Sequence, residues 1–212
     1  MPRPTKHQPE RGDARTRLLE AARDIVRRKG FAATSVDEIC AAAGVTKGSF
    51  FHHFKSKEEL GVAAADFWRE TTGAFFAAAP YHVPSDPLDR VLAYVAFRRS
   101  IIVGDIAEWS CLAGTMAEEV YLSSPAIREA CAAAMFGHTA TLEAHITAAM
   151  RERRIAGDGW SAASLARHTQ TVLQGAFVLA KAGNDPALAR EGLDHLDRYI
   201  RLLFGAPARE DA

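Results

Sequence analysis

The sequence predicts an all-α protein in which a small N-terminal three-helix unit precedes a larger helical body, about nine helices in all. Apolar residues recur every three or four positions through most of the chain, which is the period of an amphipathic helix. Runs that alternate apolar and polar residues, as in half-buried strands, do not occur in the sequence. With 212 residues, of which 48% are hydrophobic, the chain can bury a sizeable core.

Composition excludes several classes of protein. The chain carries 26 Lys and Arg against 26 Asp and Glu, and with its apolar content this excludes extensive disorder. No apolar stretch is long enough to span a bilayer, and the polar residues 1–10 lack the apolar core of a secretory signal. Cys40, Cys111 and Cys131 are too few and too widely spaced for a disulfide framework or a metal site. We therefore expect a cytoplasmic protein without metal or cofactor.

The charge is unevenly distributed along the chain. Residues 1–60 carry 12 Lys and Arg against 8 Asp and Glu, whereas the remaining residues carry 14 against 18. A basic N-terminal unit joined to an acidic body suggests that only the first part contacts a polyanion. The excess of positive charge in residues 1–60 is modest and does not by itself show that the protein binds a polyanion.

The first 60 residues contain three helix patterns. Residues 1–12 form a basic, Pro-containing arm that we expect to be disordered, and a helix follows from Asp13 to Gly30 with arginines on its polar face. Ser35 and Glu38 then match a capping box at the start of a short helix that ends at Gly44. Thr46 is the candidate N-cap of a second short helix, which ends near Phe54.

Two short helices joined by a Gly-containing turn are typical of a helix-turn-helix. In such a unit the second helix enters the major groove of DNA. Its first turn would present Thr46, Lys47 and Ser49, while Gly48 would let the backbone approach closely. The free N–H groups near Thr34 and Lys57 would suit phosphate oxygens. A compact helical corner without DNA binding is the alternative, because such corners also occur in other helical proteins.

The stretch TSVDEICAAAGVTKGSFFHHFKSKEELGVAA, Thr34–Ala64, resembles the DNA-binding region of the TetR family of transcriptional regulators. The resemblance covers roughly residues 14–64. It implies a homodimer whose subunits of nine or ten helices carry a DNA-binding domain (1–56) and a ligand-binding and dimerisation domain (57–212). It also implies repression of transcription through a palindromic double-stranded DNA operator, with release when a small-molecule effector binds.

One position departs from the family pattern. Members often have Tyr where this chain has Phe51, so Phe51 cannot donate a hydroxyl hydrogen bond to a phosphate. Packing or a thymine-methyl contact remains open to it, and His52 either replaces the polar contact or is simply solvated. The predicted DNA-binding residues are Thr34, Ser35, Thr46, Lys47, Gly48, Ser49, Phe51, His52 and Lys57.

The C-terminal body is predicted to be a series of longer helices. A further capping box at residues 56–59 starts the first of them, and Pro and Gly clusters separate the others. The predicted ranges are 57–79, 86–104, 107–121, 125–155, 161–182 and 186–204.

The last two of these helices each carry a broad apolar face. Such a pair is either ordinary core or, as the family resemblance implies, half of a four-helix bundle formed with a twofold mate. The predicted dimer-interface residues are Leu165, Val172, Leu173, Ala176, Phe177, Leu193, Leu196, Ile200 and Leu203.

The remaining helices carry large aromatic residues among scattered polar groups, as in the walls of small-ligand sites. Any one of them could equally be core. The candidates for a pocket are Phe67, Phe75, Tyr94, Phe97, Trp109, Cys111, Met116, Tyr121, Met135, Phe136 and His138, with Trp68 beside them.

The segment that begins at Cys111 resembles a TetR subgroup whose members include sensors of electrophiles and reactive oxygen species. That resemblance implies a reactive thiol at a helix N-terminus. An inert, buried Cys111 is the alternative.

Enzymatic motifs are lacking in the sequence, which contains no GxSxG elbow, phosphate-binding glycine loop or HExxH. We therefore predict a regulator and no enzyme. The alternative function is a helical ligand-binding or scaffold protein that does not bind DNA.

Overall fold

The computed structural model describes residues 13–157 and 159–207, and this part of the chain is helical without strands. Ten α-helices follow one another in these residues, and a single 3₁₀ turn, Pro80–His82, separates the fourth helix from the fifth. The predicted N-terminal arm lies outside the described residues. The helices are α1 Ala14–Lys29, α2 Val36–Ala43, α3 Lys47–His53, α4 Lys57–Ala77, α5 Pro87–Ser100, α6 Ile106–Trp109, α7 Leu112–Val120, α8 Pro125–Glu152, α9 Ala162–Gly183 and α10 Pro186–Phe204.

Side-chain caps start the helices of the N-terminal unit where the sequence predicts them. Ser35 and Glu38 close a complete capping box at α2, and the Thr46 hydroxyl accepts the N–H of Ser49 at the start of α3. At α4 the box is only half formed. Ser56 accepts the N–H of Glu59, but the Glu59 carboxylate accepts from the N–H of Lys55, one residue before the cap. Each cap satisfies a donor that the helix start leaves without an intrahelical partner.

The prediction of a single helix over residues 107–121 is wrong, because this segment contains two helices. They are α6 and α7, and they are separate because the chain is extended at Ser110 and Cys111. Cys111 caps the second of them, since its sulfur accepts the N–H of Gly114 at 3.3 Å. This break raises the number of helices in the described residues to ten.

The N-terminal unit does not have a core of its own. Leu18 of α1, Phe50 of α3 and Leu60 of α4 are fully buried in a cluster that continues into Met116 of α7 and Ile127 of α8. A second cluster fills the space between α5, α8, α9 and α10. The N-terminal unit is therefore held directly on α4, α6 and α7, and α8 packs against α4 and α7 in turn.

The predicted dimer-interface residues lie inside this second cluster, which corrects their assignment. Seven of them are buried within the single chain, and Val172 and Leu203 pack against the same core. The seven buried residues have no surface left to offer to a partner, whereas Val172 and Leu203 are half-buried. A helical apolar period identifies a buried face but does not say whether the same chain or another one buries it. The seven buried residues are Leu165, Leu173, Ala176, Phe177, Leu193, Leu196 and Ile200.

Candidate nucleic-acid interface and ligand cavity

The helix-turn-helix is built by α2 and α3 packed on α1. Gly44 ends α2 in the left-handed conformation (φ 63°), and the Val45 N–H returns to the carbonyl of Cys40. Phe50 and Phe54 then bury one face of α3, with ring centroids 5.8 Å apart. Because this inner face is fixed by the core, the opposite face of α3 is presented outward.

The first turn of α3 is open to solvent. Thr46, Lys47 and Gly48 are exposed, and Ser49 is half-buried. A Cβ at Gly48 would meet nothing closer than the Thr46 hydroxyl, at 3.7 Å, so no packing within the described chain requires glycine there. Lys47 is held outward by an ion pair with Asp37 at 2.9 Å, between side chains that are both more than half exposed. Such a pair contributes little to stability and is easily exchanged for a phosphate.

Phe51 and His52 extend this surface along α3. Phe51 is 53% exposed, although its ring packs edge-on against the buried Phe50 at a centroid distance of 5.2 Å. His52 is exposed and stacks edge-on against His53. The exposed part of the Phe51 ring is available for an apolar contact with another molecule.

Three other predicted DNA-binding residues have structural contacts of their own. The Thr34 side chain is only 2% exposed, and its hydroxyl donates to the Gly30 carbonyl at 2.6 Å, so it cannot reach a phosphate. Ser35 is exposed but engaged in the α2 capping box. Lys57 lies over the Phe31 ring at 4.5 Å and donates to the carbonyl of Ala32, and burial lowers its pKa.

The structure contains a partly open cavity of about 370 Å³ lined by residues of α1, α4, α5, α7, α8 and α9 and of the α6–α7 break. Its apolar wall is formed mainly by aromatic rings, among them Trp68, Phe75, Phe76, Trp109 and Phe177. Volume and lining match the sites that hold small organic molecules in proteins.

Arginines from the N-terminal unit form part of this wall. Arg27 of α1 is buried, in contrast to the expected solvent-facing arginine side of that helix. Its guanidinium donates to the Glu108 carbonyl at 2.9 Å and to Asp24, and it lies 5.1 Å from the Trp68 ring. Arg23 shares the same Asp24. Neither arginine is predicted as a wall residue from the sequence, because nothing in the local pattern indicates a contact with residues about 80 positions later.

The predicted pocket residues divide into two groups. Phe75, Trp109, Cys111, Met135 and His138 line the cavity, as does Trp68. The other six do not. Tyr94 and Phe97 pack behind Phe76, Met116 is fully buried in the core, Phe67 lies in a separate groove beside α1, and Tyr121 and Phe136 are exposed. Helical spacing places residues on one face but does not identify the neighbouring helix.

His138, which lines the cavity, contacts Tyr94 behind the cavity wall. The Tyr94 hydroxyl and His138 Nε2 are 2.7 Å apart. Burial raises the pKa of Tyr94, so the phenol stays protonated. Burial, with the nearby Arg98 guanidinium, lowers the pKa of His138 to about 4, so the ring is neutral at pH 7.

The cysteines are free and differ in their surroundings. Cys111 is half-buried at the cavity wall and at the N-terminus of α7, while Cys40 and Cys131 are buried. Burial raises the pKa of the Cys131 thiol to about 12. A reactive Cys111 stays a prediction.

A second link joins the N-terminal unit to the body. The Glu119 carboxylate, from the end of α7, accepts the N–H of Ala32 in the α1–α2 loop at 2.7 Å. The same carboxylate covers the backbone of Gly30. Together with the Arg27 contact to Glu108, this places α1 and its loop in direct contact with the helices around the cavity.

The three-helix unit presents α3 outward and is attached to a larger body that contains a cavity. This arrangement is that of a helix-turn-helix transcriptional regulator. Residues 18–64 match the family model of bacterial regulatory proteins of the tetR family, and residues 87–190 match the C-terminal domain of LmrA/YxaF-like transcriptional regulators. The two matches together cover well over half of the chain. The chain belongs to the TetR family of transcriptional regulators.

Individual relatives agree with this assignment. The HTH-type transcriptional regulator EthR of Mycolicibacterium smegmatis is 29% identical over 87% of this chain and 82% of its own length. The HTH-type regulator YerO of Bacillus subtilis is 38% identical, but over 26% of this chain and 19% of its own length. The first curated relatives are matched over a fifth to a half of their length.

Solved structures share the fold. A TetR transcriptional regulator from Chloroflexus aurantiacus is 26% identical, covers 89% of this chain and 94% of its own, and superposes with a TM-score of 0.75. No helix in residues 13–157 and 159–207 is long and apolar enough to cross a membrane.

Proposed function

We propose that this protein is a ligand-responsive transcriptional repressor that binds a palindromic operator as a homodimer and is released by a small molecule. The observation that carries the proposal is the first turn of α3. Thr46, Lys47 and Gly48 are exposed there, Lys47 is paired only with the exposed Asp37, and Gly48 leaves open space in front of the backbone. Family membership supports the same assignment.

DNA contact follows from this surface. The major groove is wide enough for α3, whose Thr46, Lys47 and Ser49 then lie next to base edges and phosphates. Phe51 supplies an apolar contact to a thymine methyl, and His52 lies near the backbone. Lys57 contributes positive charge beside the loop, although its contacts with Phe31 and Ala32 restrict its reach. The DNA-binding unit comprises residues 1–56 and the effector and dimer unit residues 57–212.

The dimer surface is on the outer sides of α9 and α10. Val178, Leu179, Tyr199 and Leu202 are exposed there, Leu202 by 79%. Gly175 has open space where a Cβ would stand, which permits close approach of another helix. Several apolar side chains exposed on one helix pair are typical of a protein–protein contact, and a second copy of the chain gives the twofold symmetry that a palindrome needs.

Release of DNA follows from the position of the cavity. Arg23 and Arg27 of α1 and Trp68 of α4 all line it, so an occupant directly contacts α1 of the DNA-binding unit and α4, the helix that follows that unit. A small shift of these helices changes the distance between the two α3 helices of the dimer. The protein acts in the cytoplasm, where it meets the chromosome.

Selection of duplex DNA from a random pool tests this proposal. The expected result is enrichment of an inverted repeat whose half-sites are separated by about one helical turn or a multiple of it. Failure to enrich any duplex sequence would contradict DNA recognition and favour a ligand-binding or scaffold role.

A further inference from the structure

The cavity contains a positive charge without a counter-charge. Arg98 of α5 lines it, and in the described part of the chain its guanidinium makes no ion pair and no hydrogen bond. Its neighbours are two rings instead. The guanidinium carbon lies 4.9 Å from the Phe76 centroid and 5.7 Å from the Phe177 centroid. Cation–π contacts stabilise such a charge only in part. The adjacent Arg99, in contrast, is paired with Asp194 at 2.7 Å.

The other charges of the wall do not compensate Arg98. Arg23 and Arg27 already share the single carboxylate of Asp24. Glu108 is exposed, and its carboxylate lies against the backbone of Gly104. The wall therefore keeps a net positive charge.

The buried polar atoms of the wall that lack a partner include strong donors. Trp109 is buried, and its indole N–H has no acceptor among the described residues. Nε of Arg27 is also buried and also has no acceptor among the described residues. Neither group can accept a hydrogen bond, so only an acceptor satisfies them. Unpaired buried donors are costly and rare in native proteins, which makes their presence around one cavity informative.

His138 adds a further donor. The Tyr94 hydroxyl has no other hydrogen-bond partner in the described residues, so its proton is satisfied only if it donates to Nε2 of His138. The neutral ring then carries its own proton on Nδ1. Arg98, Trp109, Arg27 and His138 all line the cavity, and each thus carries at least one hydrogen-bond donor without an acceptor among the described residues.

We propose that the cavity binds a small organic carboxylate with an aromatic or apolar body, and that Arg98 pairs with the carboxylate. The guanidinium matches a carboxylate with two parallel hydrogen bonds, and the rings of Phe75, Phe76 and Trp109 hold the body. About 370 Å³ corresponds to the space of roughly a dozen water-sized groups, which suits a one- or two-ring acid. The proposal rests on the proposed function in taking this cavity as the effector site.

Calorimetric titration of the purified full chain without DNA tests this proposal. The probes are 2-naphthoate and 3-phenylpropionate, with 2-naphthamide and 3-phenylpropylamine as neutral and cationic counterparts of similar shape. The variants are R98Q and R98M, the second of which keeps an apolar wall if the first does not fold. R99Q is the matched control, because it removes the same charge from the next residue, outside the cavity.

We expect at least one acid to bind at least about tenfold more tightly than its neutral or cationic counterpart. The counterpart cannot form the charge-assisted hydrogen bond to Arg98, and the loss of such a bond has an effect of this size. R98Q and R98M should each lower the affinity for the acid by at least about tenfold and leave the affinity for its counterpart unchanged. R99Q should bind both compounds as the unmodified protein does. Equal binding of acid and counterpart, undiminished binding by both Arg98 variants, or no saturable binding of either acid at millimolar concentration would overturn the proposal.

The titration separates this proposal from the proposed function. An acid that binds through Arg98 but does not release selected duplex DNA supports the anion site and contradicts its role in release. A protein that binds operator DNA but none of the acids contradicts the anion site alone.

Discussion

Gly48 is the residue at which the DNA-binding surface is tested most simply. The free chain has room for a larger side chain there, so Gly48→Glu should fold with unchanged stability. A glutamate on this turn would face the phosphates and occupy the space of the groove, so we expect duplex binding to be lost. A gel-shift titration measures the effect.

The matched control is Gly73→Glu. Gly73 lies on α4, where an added Cβ would meet nothing within 4 Å, and it is exposed away from α3. This variant adds the same charge and should keep its affinity for DNA. Unchanged affinity in Gly48→Glu would contradict the position given to α3.

His138 gives the protein a dependence of stability on pH. Its folded-state pKa of about 4 lies below the ordinary value of 6.5, so between these values the unfolded chain binds a proton that the folded chain does not. Stability due to this group is therefore present above pH 6.5 and lost as pH falls toward 4. Between pH 7 and pH 5 we expect a loss of about 2 kcal/mol in the free energy of unfolding.

Urea unfolding of the native protein and of His138→Gln at both pH values measures this loss. The variant should lose less stability than the native protein between the two. His145, whose pKa is also lowered by burial, contributes equally to both proteins and cancels in the comparison. Parallel losses in the two proteins would show that His138 is not held neutral.

Single residues show what the sequence can and cannot predict. The caps Ser35 and Thr46 are predictable because a cap depends on neighbours within three residues. The roles of Arg27, Arg98 and Glu119 are not, because each acts on residues far away in the chain or through the absence of a partner. No local pattern encodes such contacts.

At the scale of elements, the Glu119 contact connects α7, which contributes to the cavity, with the α1–α2 loop of the N-terminal unit. Replacing Glu119 by Ala removes the acceptor of the Ala32 N–H and the contact over Gly30. We expect the free energy of unfolding to fall by about 1 kcal/mol. Hydrogen exchange at the Ala32 amide should become faster.

Glu118→Ala is the control, because Glu118 is exposed next to Glu119 and makes no hydrogen bond to the N-terminal unit in the described residues. Equal exchange at Ala32 in both variants would contradict the link.

The outer faces of α9 and α10 carry the proposed association of two copies. Leu179→Glu and Leu202→Glu place a charge on exposed positions, so each should fold but sediment as a monomer. Leu122→Glu, at an exposed leucine between α7 and α8, should remain dimeric. Sedimentation velocity distinguishes the species, and an unmodified protein that is monomeric at micromolar concentration would contradict the dimer.

The pair α9 and α10 also shows what the sequence periodicity cannot predict. The apolar faces of α9 and α10 are predicted correctly, yet Leu173 and Ile200 turn inward and Leu179 and Leu202 turn outward. Both sets recur at helical spacing. Only the packing of α9 against α8 and α10, and of α10 against α5, decides which set the chain buries for itself.

At the scale of the whole molecule, the fold class can be predicted because the different signals in the sequence all indicate the same structure. Caps, glycine stops and apolar period all indicate helices, and the segment from Thr34 to Ala64 resembles a known DNA-binding unit. The cavity cannot be predicted, since helices from across the chain contribute to it. Its charge depends on which arginines find carboxylates, which is a property of the assembled fold.

The salt dependence of duplex binding tests the central claim, contact of α3 with DNA, most directly. A dimer with about six phosphate contacts should lose about a thousandfold in affinity for its selected duplex between 50 and 200 mM salt, and Lys47→Ala should reduce the slope by about one phosphate per subunit. Arg128→Ala, which removes an exposed positive charge from α8, should leave the slope unchanged. An affinity that does not depend on salt, or a slope that Lys47→Ala leaves intact, would contradict the account.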